Sequence, residues 1–282
     1  MNNLYQDTIN TLKMYQTKAN KSLGQNFLIN QEVLDKIVES SNISKEDIII
    51  EIGPGIGTLT NELIKHAKKV ICIELDPTMV TILQNRFKFA NNIQIIQEDI
   101  LKVDLKKLLG NEKVKVVANL PYYITTPIIM KLLEQETNIL SIIVMVQKEV
   151  ALRLTAKPGD NLCGAITVSV NYYSAPEIVT LVQKDSFLPE PEVDSCVIKL
   201  TVREKPAIDV QDEKILFQLV KIAFQNRRKT LLNNLINAKI IKDKEKATKI
   251  LEELNIERNR RGETLSLVEY EKLANCICKI KE

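Results

Sequence analysis

Four short apolar runs, each ending abruptly in polar or glycine-rich sequence, constrain the fold of this chain more than any other feature. The runs are Ile48–Ile52, Val70–Ile73, Ile93–Gln97 and Val114–Ala118. Helical patterns separate them, and this alternation is typical of a doubly wound, largely parallel α/β sheet. Ligands of such sheets bind in the crevice beyond the carboxyl ends of the strands, so the polar residues at those ends form the candidate site.

The second half of the chain changes character twice. A fifth apolar run, Ile139–Gln147, is followed by strand-like runs in succession, which predicts an antiparallel edge. These later strands are predicted at Ala165–Tyr173, Glu177–Val182 and Cys196–Val202. From Asp212 onward the periodicity is helical. We therefore predict an α/β domain at residues 1–203 and a small all-helical domain at residues 204–282.

Composition excludes several classes of protein. Hydrophobic residues make up 45% and charged residues 27% of the 282, values typical of globular proteins. No apolar run approaches the roughly 18 residues of a membrane span, and the first residues lack the apolar core of a signal peptide. We therefore expect a cytoplasmic protein that does not enter a membrane. The five cysteines are scattered and His66 is the only histidine, so we predict no metal site and no histidine-based triad.

The first strand runs into Gly53-Pro54-Gly55-Ile56-Gly57, a glycine-rich turn that opens a predicted helix near Thr58. Glycine lets a backbone approach a ligand closely and adopt positive φ. The dinucleotide fingerprint is G-x-G-x-x-G, but here the third glycine comes one residue early, and Glu51 adds negative charge before the turn. An acidic turn suits a positively charged ligand without phosphate. S-adenosylmethionine, with its sulfonium and ammonium groups, fits this description.

The next two strands end in carboxylates at informative spacings. Glu74 lies 21 residues after Gly53, where an acidic residue accepts hydrogen bonds from the ribose hydroxyls of a bound nucleoside. Asp99 can accept a hydrogen bond from an adenine amino group, and the Ile100 N–H can donate to the ring. A surface carboxylate at a strand end is common by itself. Its combination with the glycine-rich turn favours a nucleoside ligand.

The fourth strand ends in Asn119-Leu120-Pro121-Tyr122, which suits a flat base that carries an exocyclic amine. The asparagine oxygen can accept from an N–H, the proline fixes the direction of the Leu120 and Pro121 carbonyls, and Tyr122 offers a stacking face. An ordinary strand-to-helix turn would contain the same Asn and Pro. Downstream, two prolines stiffen a loop that projects Phe187. Its ring either faces Tyr122 across a flipped-out base or packs in the core.

The basic excess of the chain lies in its C-terminal part. Residues 204–282 hold 17 Lys and Arg against 13 Asp and Glu, and three adjacent cations, Arg227-Arg228-Lys229, fall on a predicted helix. They can form a phosphate-binding patch or an ordinary solvated helix face. The base-handling motif upstream favours contact with nucleic acid.

Together these stretches resemble the ribosomal RNA adenine N6,N6-dimethyltransferase family, and within it the bacterial small-subunit enzymes. The resemblance covers nearly the whole chain and rests on five motifs in the family's order. They are Gly24–Leu28, Glu51–Gly57, Asn119–Tyr122, Phe187-x-Pro189-x-Pro191-x-Val193-Asp194-Ser195 and Gln225-x-Arg227-Arg228-Lys229-Thr230. It implies a Rossmann-like, S-adenosylmethionine-dependent methyltransferase sheet in the first domain and RNA binding by the helical second domain.

The resemblance also implies a substrate and roles for individual residues. We expect the methyl donor S-adenosylmethionine to be bound by Asn26, Leu28, Gly53, Gly55, Glu74, Leu75, Asp99, Ile100 and Asn119. We expect the target base to be handled by Asn119, Leu120, Pro121, Tyr122 and Phe187, and the RNA to be contacted by Lys21, Arg227, Arg228 and Lys229. The implied reaction is dimethylation of two adjacent adenosines in the 3′-terminal hairpin of small-subunit rRNA. Its setting would be a pre-ribosomal particle, and the enzyme is expected to be a monomer.

Two alternatives stay open. A large-subunit adenine methyltransferase of the resistance type shares the fold and most motifs, although Leu120 and the 204–282 domain favour the small-subunit enzyme. A catalytically silent RNA-binding assembly or transcription factor could retain this fold, although intact Glu74, Asp99 and Asn119 argue against it. The glycine spacing disfavours a nicotinamide oxidoreductase.

Overall fold

The computed structural model describes residues 3–135 and 138–281. Its strands are β1 (Phe27–Leu28), β2 (Ile48–Ile52), β3 (Lys69–Glu74), β4 (Ile93–Gln97), β5 (Val114–Asn119), β6 (Ile139–Gln147), β7 (Ser174–Val182), β8 (Phe187–Leu188) and β9 (Ser195–Val202). Its α-helices are α1 (Asn3–Met14), α2 (Gln31–Ser41), α3 (Thr58–His66), α4 (Pro77–Arg86), α5 (Leu105–Leu109), α6 (Thr125–Glu134), α7 (Lys148–Leu154), α8 (Ala165–Tyr173), α9 (Glu213–Gln225), α10 (Leu231–Asn237), α11 (Lys244–Glu253) and α12 (Leu267–Lys281). Among these residues, no helix is both long and apolar enough to cross a bilayer.

The main sheet has seven strands in the order β4-β3-β2-β5-β6-β9-β7. Strands β2 to β6 pair in parallel. Most apolar side chains of the central strands β2, β3 and β5 are buried on both faces, whereas those of the edge strand β4 are half-buried. Strand β9 runs antiparallel to β6, with Ser195 opposite Gln147. The predicted parallel sheet with an antiparallel edge is therefore confirmed. As a result, the start of β9 lies at the same edge as the carboxyl ends of the parallel strands.

The chain divides into two compact units. The first comprises the residues up to Ala151 together with Ala175–Val202, and it holds the whole main sheet except the first residue of β7. The second comprises Leu152–Ser174 and the residues from Arg203 onward. Its core is built from buried side chains of α8 to α12, among them Leu219, Leu251 and Tyr270. The second unit thus includes α8, which the sequence places in the α/β domain.

The predicted strand Ala165–Tyr173 is wrong, because these residues form helix α8. Its side chains are buried around most of its circumference, including Thr167, Val168, Val170 and Tyr172. A helix buried in this way carries no polar face, so its sequence lacks the 3.6-residue period that distinguishes helix from strand. The helix start is fixed locally by the Thr167 hydroxyl, which accepts a hydrogen bond from the Gly164 N–H at 2.9 Å.

Helix α1 packs against other elements of the first unit, near the glycine-rich turn. Asp7 forms an ion pair with Arg86 of α4 at 2.6 Å. Leu12 and Tyr15 pack against a small apolar cluster that contains Phe27 of β1. The segment before Lys21 is therefore attached to the elements that carry the candidate site.

Candidate active site

A cleft opens at the carboxyl edge of the parallel strands. Its walls are the turns after β2, β3, β4 and β5, together with the segment that contains β1. All nine predicted cofactor residues line it, namely Asn26, Leu28, Gly53, Gly55, Glu74, Leu75, Asp99, Ile100 and Asn119. Leu120, Pro121 and Tyr122 line it as well. One cleft thus collects residues from five separate stretches of sequence.

The glycine-rich turn is held against β3 by its own backbone. The Gly55 N–H donates to Glu74 Oε2 at 3.0 Å, and the Gly55 φ of +57° lies in the left-handed region. A Cβ at this position would lie 3.1 Å from the Phe27 ring. Both the conformation and the space therefore require glycine here, which explains the motif in physical terms.

Glu74 is buried beside this turn, with 6% of its surface exposed. One carboxylate oxygen accepts from the Gly55 N–H and the other from the Asp76 N–H at 2.9 Å. Burial raises the pKa of Glu74, and the backbone hydrogen bonds act in the opposite direction. Each oxygen keeps a further lone pair, so the group can still accept from hydroxyls of a ligand in the cleft.

Glu51 does not supply the negative charge that the sequence suggested. Its side chain is 1% exposed, and Oε2 accepts a hydrogen bond from the Thr60 hydroxyl at 2.6 Å and contacts the Cys72 thiol at 3.6 Å. Burial raises the pKa of Glu51 to about 8. The carboxyl is therefore largely protonated at neutral pH. Acidic groups at the cleft mouth come instead from Glu98 and Asp99, which line it and are more exposed.

The turn after β4 presents Asp99 and Ile100 to the cleft. Asp99 Oδ1 accepts from the Leu101 N–H at 2.9 Å, which fixes the orientation of the carboxylate. The Ile100 N–H has no hydrogen-bond partner among the described residues, although the Ile100 side chain is buried. An unpaired backbone donor in a cleft is available to a ring nitrogen of a ligand.

Lys131 holds this turn in place, and sequence reasoning did not identify it. Its ammonium group, on helix α6, donates to the Leu101 carbonyl at 2.8 Å and to the Val103 carbonyl at 2.7 Å. A lysine about 30 residues from its carbonyl partners leaves no motif. Only the fold brings α6 and this turn together.

The Asn119 side chain is oriented by a chain of amide contacts. Its Nδ2 donates to the Asn26 carbonyl at 2.9 Å, and Asn26 Nδ2 in turn donates to the Gly24 carbonyl at 3.2 Å. With its donor used in this way, Asn119 presents Oδ1 as an acceptor in the cleft. The Asn119 amide is therefore set to receive an N–H from a ligand.

The two carbonyls of the Leu120-Pro121 turn differ in availability. The Pro121 carbonyl accepts from the Ile124 N–H at 3.3 Å and from the Thr125 hydroxyl at 3.1 Å, which are contacts that start α6. The Leu120 carbonyl accepts no hydrogen bond from the described residues. Of the two candidates that the sequence left open, the Leu120 carbonyl is thus the one available to a ligand.

Tyr122 and Phe187 have different surroundings. The Tyr122 hydroxyl is 2.5 Å from Ser195 Oγ, and burial raises the pKa of Tyr122. Phe187 belongs to β8, which pairs with β1, and it is 2% exposed in a core cluster that contains Leu34 and Val197. Phe187 is therefore packed in the core, as the alternative interpretation expects, and its stacking on a base opposite Tyr122 stays a prediction.

The segment before β1 folds over the cleft and is tied to the sheet. Gln25 Nε2 donates to Asp76 Oδ2 at 2.8 Å, and Gln25 Oε1 accepts from the Asn20 N–H at 2.8 Å. Leu23, Gly24 and Gln25 line the cleft, whereas Lys21 is exposed. Lys21 thus lies on the outer surface of a short covering loop.

The basic cluster of the second unit lies in a turn and not on a helix, because α9 ends at Gln225. Arg227 is engaged within the unit, since it contacts Glu263 Oε2 at 3.0 Å and the Asn161 carbonyl at 3.2 Å. Arg228 and Lys229 are exposed, and their side chains have no partner in the described part of the chain. The three predicted RNA-binding cations of this turn are therefore not equivalent.

A second basic turn lies beside the first within the same unit. The Leu231 N–H donates to the Arg260 carbonyl at 2.8 Å, which joins the two turns. Arg260 itself is paired with Glu269, whereas Arg258 and Arg261 are exposed. Four exposed cations, Arg228, Lys229, Arg258 and Arg261, thus lie on adjacent turns.

Comparison with known proteins gives matches over almost the full chain. The family described as "Ribosomal RNA adenine dimethylase" matches residues 16–272. The protein "Ribosomal RNA small subunit methyltransferase A" of Clostridioides difficile is 48% identical over 274 residues, covering 96% of this chain and 94% of that protein. Its namesake from Alkaliphilus oremlandii is 46% identical over 272 residues, 95% of each chain.

Two solved structures share the fold over nearly their whole length. The crystal structure of a dimethyladenosine transferase from Plasmodium falciparum has a TM-score of 0.78 and 29% identity, covering 90% of this chain and 98% of that one. The 23S rRNA methyltransferase ErmE has a TM-score of 0.71 and 22% identity, covering 91% and 100%. At that lower identity the likeness concerns the fold alone.

Proposed function

This chain belongs to the ribosomal RNA adenine dimethylase family, and from that premise we propose that it dimethylates N6 of two adjacent adenosines in the 3′-terminal hairpin of small-subunit rRNA. The observation that carries the proposal is the pair of available acceptors, Asn119 Oδ1 and the Leu120 carbonyl, in a cleft shaped for a nucleoside. The small-subunit target is supported by relatives of that name at 46–48% identity over nearly the full length.

The cleft residues fit S-adenosylmethionine as the methyl donor. Glu74 can accept from both ribose hydroxyls while keeping its two backbone hydrogen bonds. The unpaired Ile100 N–H and the Asp99 carboxylate can pair with the adenine ring and its amino group. The narrow turn at Gly55 lets the backbone approach the ligand closely.

The residues at the end of β5 address the chemical difficulty of the reaction. The lone pair of adenine N6 is delocalised into the ring, so the amine is a poor nucleophile. When bound, S-adenosylmethionine supplies an activated methyl group on a sulfonium. Asn119 Oδ1 and the Leu120 carbonyl would accept hydrogen bonds from the N6–H groups, two before the first transfer and one before the second, and favour a tetrahedral nitrogen, which localises the lone pair. Because these contacts strengthen as the nitrogen becomes tetrahedral, they stabilise the transition state more than the bound base.

The proton on the methylated nitrogen needs no dedicated base. His66, the only histidine, lies at the end of α3 and does not line the cleft. Once the new nitrogen–carbon bond forms and the carbon–sulfur bond breaks, the cationic amine is acidic enough to lose its proton to solvent. Catalysis then depends on positioning, which places the amine and the methyl group in line.

The proposal assigns RNA binding to exposed cations of each unit. In the second unit these are Arg228 and Lys229 with Arg258 and Arg261 on the adjacent turn, and in the first unit Lys21. They provide phosphate contacts, which position RNA without reading its sequence. Arg227 contributes to this surface mainly by holding its turn through Glu263.

The test is methyl transfer from labelled S-adenosylmethionine to small-subunit particles that lack the modification, with large-subunit RNA assayed in parallel. Dimethyladenosine in the small-subunit hairpin is the expected product. Label in large-subunit RNA alone would move the target to that subunit, and cofactor binding without transfer would favour a silent relative. Asn119→Ala should lower turnover on the order of 100-fold while RNA affinity is kept. Equal losses in both would contradict the role of Asn119.

A further inference from the structure

The hydroxyl of Tyr122 has a single hydrogen-bond partner among the described residues, Ser195 Oγ at 2.5 Å. Ser195 is fully buried, and Tyr122 is partly buried where it lines the cleft. The contact joins the tip of the candidate stacking ring to a strand more than 70 residues away in sequence. The ring is therefore fixed at both ends, by its backbone on one side and by its hydroxyl on the other.

The fold gives Ser195 a rigid position. It is the first residue of β9 and pairs with Gln147, the last residue of β6. The preceding residue, Asp194, accepts from the Lys148 N–H through its carbonyl at 3.0 Å and from the Lys184 N–H through Oδ1 at 3.2 Å. The serine hydroxyl is thus a fixed point beside the end of β5.

By contrast, Tyr122 lies outside the regular strands. It begins a short 3-10 turn between β5 and α6, and the next residue, Tyr123, is 55% exposed. A tyrosine ring without a partner for its hydroxyl would sample several orientations, and ordering it on substrate binding would cost side-chain entropy. The hydrogen bond to Ser195 removes that freedom before the base arrives.

We propose that Ser195 is a positioning residue for methyl transfer, which holds the Tyr122 ring in the plane that stacks on the target adenine. The proposal rests on the function proposed above. It also connects the loop from Phe187 to Ser195 with the site. Ser195 contacts Tyr122, one of the base-handling residues, whereas Phe187 packs in the core.

Four variants and a matched control test this role. Ser195→Ala and Tyr122→Phe each remove one side of the hydrogen bond, and both should lower kcat about tenfold with KM for S-adenosylmethionine unchanged. The double variant should lose no more than either single variant, because both remove the same contact. Ser195→Thr keeps a hydroxyl and should retain most of the turnover.

The control is Ser186→Ala, which removes another buried serine hydroxyl of the same unit, one that contacts Asn30 Nδ2 at 3.1 Å and does not contact Tyr122. It should change thermal stability to a similar extent as Ser195→Ala while leaving kcat unchanged. A Ser195→Ala enzyme no slower than the Ser186→Ala control would overturn the proposal. A double variant whose loss in kcat equals the product of the two single-variant losses would also overturn the proposal.

A measurement without substrate separates this inference from the function on which it rests. In an NMR spectrum, a slowly exchanging Tyr122 hydroxyl proton should be present in the wild type, absent from Tyr122→Phe and lost in Ser195→Ala. Its persistence in Ser195→Ala would show that the serine does not hold the ring. If the wild type transfers no methyl group to rRNA, the proposed function fails, and the hydroxyl signal still decides whether Ser195 holds the ring.

Discussion

The buried carboxyl of Glu51 should make the first unit less stable as the pH rises. The group lies under the glycine-rich turn, 1% exposed, with the Thr60 hydroxyl and the Cys72 thiol as its hydrogen-bond partners. No cation forms an ion pair with it in the described part of the chain. Burial raises its pKa from 4.5 to about 8, so folding keeps a proton on the group that the unfolded chain releases.

The sign and size of the effect follow from this difference in pKa. Between pH 4.5 and about 8 the folded chain binds one proton more at Glu51 than the unfolded chain, so stability falls with pH. The contribution is fully present below pH 4.5 and is lost by about pH 8. Each pH unit across this window changes the free energy of unfolding by about 1.4 kcal/mol, which gives about 5 kcal/mol in all.

Glu51→Gln isolates this contribution, because the amide cannot titrate but keeps the shape and can still accept from Thr60. The free energy of unfolding of the wild type, measured by denaturant at several pH values, should fall relative to the variant from pH 5 to pH 8. Glu39→Gln, which changes an exposed carboxyl on α2, is the control and should parallel the wild type. Parallel curves for Glu51→Gln, or a Glu51 carboxyl resonance that titrates near pH 4.5, would refute the reasoning.

Three further predictions concern the cofactor turn, the RNA surface and the glycine-rich turn. Lys131→Met should raise KM for S-adenosylmethionine about tenfold with little change in kcat, because two charge-assisted hydrogen bonds to the turn after β4 are lost; an unchanged KM would show that the turn is rigid without them. Arg228→Ala combined with Lys229→Ala should weaken RNA binding in a filter assay and lower the slope of log affinity against log salt by about 1 to 2; a slope equal to that of the wild type would remove these residues from the interface. Gly57→Ala should lower the melting temperature more than Gly159→Ala, because both glycines have a φ of +88° but only a Cβ at Gly57 would meet an aromatic ring, at 2.6 Å; equal shifts would show that the cost comes from the backbone conformation alone.

Much of the fold could be predicted because the residue pattern of its strands differs clearly from the pattern of the segments between them. The central parallel strands are short β-branched runs buried on both faces, and the alternation of helix and strand along the chain leaves few topologies. Helix α8 was misassigned for the converse reason. Its residues are buried on nearly every side in the second unit, so burial removed the period that reveals a helix. Only tertiary packing decides between the two structures for such a run.

The site was predictable where its residues lie at the ends of successive strands. Glu74 and Asn119 are the last residues of parallel strands and Asp99 closely follows another, and the sheet itself brings them to one edge. Contacts made across the fold could not be inferred in this way. Lys131 contacts the turn after β4 through two hydrogen bonds, and nothing in its local sequence marks it. Ser195 belongs to a recognisable motif, but that motif does not show that its hydroxyl contacts Tyr122.

The division of hydrogen bonds within the cleft explains why certain groups, and not their neighbours, are available for chemistry. The Pro121 carbonyl and the Asn119 Nδ2 are used inside the protein, whereas the Leu120 carbonyl and the Ile100 N–H have no partner among the described residues. In the proposed function, these free groups are the ones that pair with the two nucleosides. Such groups, already oriented by the fold, would contribute to binding and catalysis because they need no rearrangement when the base arrives.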